Sequence, residues 1–170
     1  EKLLTGINKI KKQNNLSKPL ALKLSPDIDD NEISKIIELI IKYRISGIIV
    51  SNSTEINREN LSDIKKNERG GLSGQPLRDR STKLIKKFYN ETQGKIEIIG
   101  VGGVDSGEAA FEKISAGANA VQLYTGMVFK IDIQLKKRIL NILNGGRYDM
   151  LISDLGSKKK IPAVGAALNL

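Results

Sequence analysis

Short apolar runs and longer amphipathic runs alternate along this chain, and that rhythm restricts its folds more than any single residue does. Pro19–Leu24, Gly47–Val50, Ile96–Val101 and Ala120–Tyr124 read as short buried strands. Between them, apolar residues recur at helical spacing. Leu3, Leu4, Ile7 and Ile10 define the opening segment, which ends near Asn14-Asn15. Asp29 or Asp30 is placed to cap a helix carrying Ile33, Ile36, Ile37 and Ile40 on one face. Ser81 opens a helix through Leu84, Ile85, Phe88 and Tyr89, and Ser106 caps another that Gly117 closes. A last helix is predicted from about Met127 to Leu143, with Val128, Ile131, Leu135, Ile139 and Ile142 on one stripe.

Strands that alternate with helices imply a parallel sheet with right-handed crossovers. Periodicity leaves two architectures open, an open doubly wound sheet and half of an eight-stranded barrel. Small polar residues and glycines follow successive strands: Ser51-Asn52-Ser53-Thr54, then Gly102-Gly103, then Tyr124-Thr125-Gly126. Both architectures bind ligands at that carboxyl edge. A glycine pair after one strand and a small-residue turn after the next match the phosphate site of many barrels, so half a barrel is the expected fold. The long polar connection from Glu55 to Arg80, with Gly70-Gly71-Leu72-Ser73-Gly74 in its middle, is of a length that usually serves function or motion.

Composition removes several chemistries. The 170 residues hold neither cysteine nor histidine, so disulfides, thiolate metal sites and a histidine base are all excluded. Lysine, tyrosine, serine, a carboxylate or a cofactor must do any acid–base work. No apolar run approaches the roughly 20 residues that cross a bilayer, and no signal peptide opens the chain, so a cytoplasmic location is expected. The net charge of +9 invites a nucleic-acid reading, but aromatics are 4% of residues and do not interleave with the basic positions. A solvated lysine-rich surface accounts for the charge, and no nucleic-acid partner is expected.

Lys23 lies within an otherwise apolar strand. It is either a charge held beside an anionic group or a strand-end lysine reaching water. Gly102-Gly103 allows close backbone approach, and the helix after it offers free amides to a phosphate; a plain tight turn is the simpler account. Ser51, Asn52 and Ser53 suit a planar polar ring or a carboxylate, or are merely a polar loop. The Gly70–Gly74 segment is no nucleotide P-loop, since it lacks the terminal Gly-Lys-Ser/Thr. Asp27, Asp29 and Asp30 read as a cap and a solvated turn, and no metal site is expected.

In order and spacing, Ala21-Leu22-Lys23-Leu24-Ser25-Pro26-Asp27, Ser51–Thr54, Gly70-Gly71-Leu72-Ser73-Gly74-Gln75-Pro76-Leu77, Gly100–Val104, Ala116-Gly117-Ala118 and Val121–Lys130 resemble the quinone-linked, membrane-associated class 2 dihydroorotate dehydrogenases. The resemblance runs from near residue 3 to about 157, and Gly70–Leu77 is its sharpest element. It implies an α/β fold, the carboxy-terminal half of a TIM (β/α)8 barrel with four parallel strands alternating with helices. It also implies FMN at the barrel mouth, dihydroorotate and orotate as substrate and product, and quinone as electron acceptor. By that likeness Lys23, Ser51, Gly74, Gly102, Gly103, Tyr124 and Thr125 contact FMN, the last three around its phosphate, while Asn52 and Ser53 hold the substrate. Ser51 and Ser53 stand where the family commonly has threonine.

The family's serine base lies on a loop before Leu3–Ile10 and falls outside this chain, as do the quinone tunnel and the amino-terminal membrane-binding region. No catalytic base is therefore assigned, and membrane contact is expected only through that absent region, which associates the whole enzymes peripherally with the inner membrane. Residues 1–157 form the expected partial barrel; 158–170 form a divergent tail, and Ile131 follows Lys130 where the family usually has glycine. Half a barrel leaves the edge of Pro19–Leu24 open, and pairing with another half-barrel or a second copy would cover it. Three alternatives stand beside the working enzyme: a non-catalytic remnant, another FMN- or phosphate-binding barrel, and a basic binding module.

Overall fold

In the computed structural model, residues 1–56, 58–135, 138–147 and 164–168 are described. The chain divides into two compact units, Glu1–Leu123 and Tyr124–Leu170, and each is taken by itself.

The first unit follows the expected rhythm: α1 (Lys2–Gln13), β1 (Ala21–Leu24), α2 (Asp30–Lys42), β2 (Gly47–Val50), α3 (Arg78–Thr92), β3 (Glu97–Val101), α4 (Gly107–Ser115) and β4 (Ala120–Gln122). The strands are parallel and lie in the order β1-β2-β3-β4. A doubly wound sheet would reverse that order at a switch point. Register puts Leu22, Ile48 and Ile98 in one row and Leu24, Val50, Gly100 and Val121 in another. Of these, Ile48, Val50 and Ile98 are fully buried, in one cluster with Leu4 of α1, Ile33 and Ile40 of α2, Leu84, Ile85 and Phe88 of α3 and Ala116 after α4. All the helices thus serve one face of the sheet. The other face carries Lys23, Ile49, Ile99 and Ala120 in register, and these are half-buried or exposed. Consecutive order with helices on one side is the arrangement of a barrel segment.

Local chemistry sets the helix ends. Asp29 accepts from the amide of Asn31, and Glu32 reaches back to the amide of Asp29, so both sides of a capping box are present. Asp29→Ala should therefore lower stability by about 1 kcal/mol, read as a shift of the urea midpoint. Ser106 caps α4 by accepting from the amide of Ala109. At α3 the start differs from expectation. The helix begins at Arg78, straight after a 3-10 turn over Gln75–Leu77, and Ser81 is a fully buried residue inside it. Pro76 accounts for the shift, because its fixed φ suits a helical first turn.

The second unit corrects the predicted Met127–Leu143 helix. After a short 3-10 turn (Thr125–Met127), β5 (Val128–Leu135), β6 (Arg138–Arg147) and β7 (Val164–Leu168) form an antiparallel sheet in that order. Lys130-Ile131-Asp132-Ile133-Gln134-Leu135 alternates polar and apolar residues strictly, and three of the apolar positions between 128 and 133 are β-branched. Period two won over the looser helical stripe. Apart from β7, the divergent tail lies outside the described residues, as does Ser153–Ser157.

Candidate functional site at the carboxyl edge of the sheet

The loop after β2 is built into the sheet edge. The amide of Ser51 donates to the carbonyl of Val101 at the end of β3 (3.1 Å), and that of Asn52 to Leu24 at the end of β1 (2.8 Å). The Val50–Ser51 peptide is cis. Ser51 is buried and its hydroxyl donates to the carbonyl of Asn52, whereas Asn52 is exposed and Ser53 half-buried. The polar segment thus straddles the ends of three adjacent strands, with its amide side chain toward water.

The Gly70–Leu77 segment folds back onto this loop. Thr54 and Leu72 exchange backbone hydrogen bonds at 3.0 and 2.7 Å. Only glycine fits at position 71, since a Cβ there would stand 1.9 Å from the Ser53 hydroxyl oxygen. Gly74 takes φ +82° as the chain enters the 3-10 turn. Arg58 stiffens the intervening connection, donating to the carbonyls of Lys66, Glu68 and Gly70.

Asp27, expected to face solvent, instead ties these parts together. Its carboxylate accepts from the Thr54 hydroxyl (2.6 Å) and the Glu55 amide (2.9 Å), and the Arg80 guanidinium stands 3.4 Å away. Arg80 also donates to the carbonyl of Pro26 (2.7 Å). One carboxylate thereby joins the β1 turn, the loop after β2 and the first turns of α3.

Gly102 and Gly103 adopt φ +108° and +69°, a region costly for any residue with a side chain. The pair is also pressed on α3: a Cβ on Gly103 would lie 2.6–2.8 Å from Arg78 atoms, and one on Gly102 would meet Ser81 Oγ at 3.1 Å. Packing alone thus requires glycine at 103, and the backbone angle requires it at 102. Gly103 and Val104 are buried, and their amides donate to no protein acceptor among the described residues, which leaves them available to an anion. Arg78, beside the turn, pairs bidentately with Glu112 (2.8 Å for both bonds) and holds its carboxyl below the usual carboxylate range.

Lys23 is exposed on the sheet face away from the helices, so it bears no burial cost. Tyr124 and Thr125 open the second unit, where both are exposed. Their convergence with Gly102-Gly103 rests on the resemblance alone. The first unit does bring together Ser51, Asn52, Ser53 and the Gly70–Gly74 segment, with Gly102 directly following Val101.

Arg58, Arg78, Arg80, Glu112 and Lys113 were not singled out from sequence, nor was Ser81 in its role as a contact. Lys113 of α4 is fully buried, while Phe111 and Ile114 on the same helix are 71% and 44% exposed. The signal was there: Lys113 falls four residues after Ala109 and three before Ala116, on the buried stripe. Among the described residues no acidic cluster could hold a metal ion, and no helix is long and apolar enough to cross a membrane.

Residues 1–145 match the profile of the family described as "Dihydroorotate dehydrogenase". The chain belongs to the dihydroorotate dehydrogenase family. Among curated dihydroorotate dehydrogenases of the quinone type, that of Christiangramia forsetii is 42% identical over 144 residues, covering 85% of this chain and 42% of the relative. That of Trichodesmium erythraeum is 46% identical over 129 residues, covering 70% and 33%. The dihydroorotate dehydrogenase of Eimeria tenella, crystallised with ferulenol, superposes with a TM-score of 0.61 at 41% identity over 64% of this chain and 29% of its own. The chain therefore matches less than half the length of these dihydroorotate dehydrogenases.

Proposed function

We propose that this chain is the carboxy-terminal portion of an FMN-dependent dihydroorotate dehydrogenase that oxidises dihydroorotate to orotate and passes the electrons to quinone. The observation that carries this reading is the family match over residues 1–145, combined with a sheet edge where the family's polar loop and glycine turn are both formed. The residues fit the cofactor. The amides of the buried residues Gly103 and Val104, with no protein acceptor among the described residues, suit a phosphate, and φ values that only glycine accepts readily let it approach the backbone.

In this reading Gly102 and Gly103 take the FMN phosphate, while Lys23, Ser51 and Gly74 contact the ring system. Asn52 and Ser53 hold dihydroorotate. When bound, FMN supplies the hydride acceptor that no side chain of this sequence can provide. Lys23 places positive charge where the reduced cofactor carries negative charge. Asn52, exposed and amide-bearing, donates to and accepts from the substrate. Asp27 and Gly71 keep the loop in place.

The test is the visible spectrum of the full chain mixed with FMN, before and after anaerobic dihydroorotate. Perturbed flavin bands are expected, and weaker retention in Lys23→Ala. A spectrum identical to free FMN would sink the cofactor assignment for this chain. Bound flavin that dihydroorotate does not bleach would favour the non-catalytic reading.

A further inference from the structure

Lys113 makes a complete set of hydrogen bonds inside the protein. Its ammonium donates to Ser81 Oγ (2.6 Å), Thr82 Oγ1 (3.0 Å) and the carbonyl of Arg78 (3.4 Å), one acceptor for each proton. Ser81 Oγ in turn lies 3.1 Å from the carbonyls of both Gly102 and Arg78, which share its one proton. Room for the lysine stem comes from Gly100 of β3, where a Cβ would stand 3.1 Å from both Cβ and Cδ of Lys113. The aliphatic part crosses the strand end, and the charged head lands on the first turn of α3, against which Gly102 and Gly103 are packed.

A buried ammonium is an expensive way to fill a core, and a hydrophobic residue of similar volume often does as well or better. Its location suggests what it provides. We propose that Lys113 is a positioning residue of the glycine turn: it clamps the first turn of α3 and, through Ser81, fixes the carbonyl of Gly102, so that the amides following it are preset for a phosphate monoester. The ligand part rests on reading that turn as the FMN phosphate site; the clamp itself does not.

The charged groups facing Lys113 are Arg78 and Asp79 of α3 and Glu112 of its own helix, while β3 presents only Gly100. Burial pushes the lysine down from 10.5 to about 8, opposed by Glu112 and assisted by Arg78. Between those values the unfolded chain binds more protons than the folded one, so this group's contribution to global stability rises with pH. Opening of the clamp that lets water reach the lysine has the same sign, so the closed turn gains as pH rises through about 8.

The experiment measures the hydrogen-exchange protection factor of the Ser51 amide, which is bonded to the carbonyl of Val101 directly before the turn, below and above about pH 8, in the full chain and in Lys113→Met and Ser81→Ala. In the unmutated chain, protection should rise about tenfold across that pH, and in Lys113→Met it should be about tenfold lower throughout with no step. Ser81→Ala should also lose the step, because the link to Gly102 is gone while Lys113 keeps its other acceptors. FMN affinity, with inorganic phosphate as competitor, should fall about tenfold in both variants. Protection that is unchanged in Lys113→Met and shows no step in the unmutated chain overturns the clamp. A step that vanishes in both variants, in a chain that binds no FMN, upholds the clamp and removes the phosphate assignment.

Discussion

Gly103→Ala is expected to cost about 2–4 kcal/mol of stability and, on the proposed reading of its turn as a phosphate site, to abolish FMN retention, because one methyl group offends twice. The backbone stands at φ +69°, where an L side chain is strained, and the new Cβ would sit 2.7 Å from Arg78 Cα. Arg78 cannot step aside cheaply. It is the first residue of α3, its guanidinium is locked to Glu112, and its carbonyl accepts from Lys113, Thr82 and Ser81. Gly107→Ala, five residues away in sequence from Gly102 and with nothing within 4 Å of the added carbon, is the matched control and should leave stability unchanged or slightly raised. Urea denaturation of the two variants reads the difference. Equal midpoints would show that the turn is not packed on α3 as described.

The second large effect lies in the core. Phe88→Ala should destabilise by about 3–5 kcal/mol, since its ring is fully buried between α3 and the sheet in the cluster that includes Ile48, Val50, Ile85 and Ile98. Phe111→Ala removes the same atoms from a side chain that is 71% exposed, and should change stability by no more than about 0.5 kcal/mol. The contrast isolates burial from residue type. A Phe88→Ala variant with an unfolding midpoint like that of Phe111→Ala would place the core elsewhere.

These residues also mark how far the chain could be read before its structure was seen. Ile33, Ile40, Ile85 and Phe88 announce buried helix faces because they repeat at helical spacing, and Asp29 announces a cap because its side chain is short and acidic just before that pattern. Gly102-Gly103 announces a tight turn. What the letters do not carry is the price of proximity in three dimensions. Asp27 reads as one of several acidic loop residues until Thr54, Glu55 and Arg80, each distant in sequence, converge on it. Lys113 reads as surface charge because lysines are abundant here, although its place on the Ala109–Ala116 stripe contradicted that reading. Residues 127–143 misled for another reason. Val128, Ile131 and Leu135 satisfy a helical stripe, while 130–135 satisfy a strand, and local spacing alone does not decide between two periods that share residues.

The consecutive strand order of the first unit has a consequence for inheritance. Each strand bonds only to the one before and the one after it in the chain, so the sheet is close to a linear array of similar βα modules. Cutting such an array at a module boundary leaves every remaining pairing intact, whereas cutting a fold with interleaved strands strands half of them. A genome that breaks, splits or fuses a gene of this architecture between modules hands on a piece whose internal grammar is still complete.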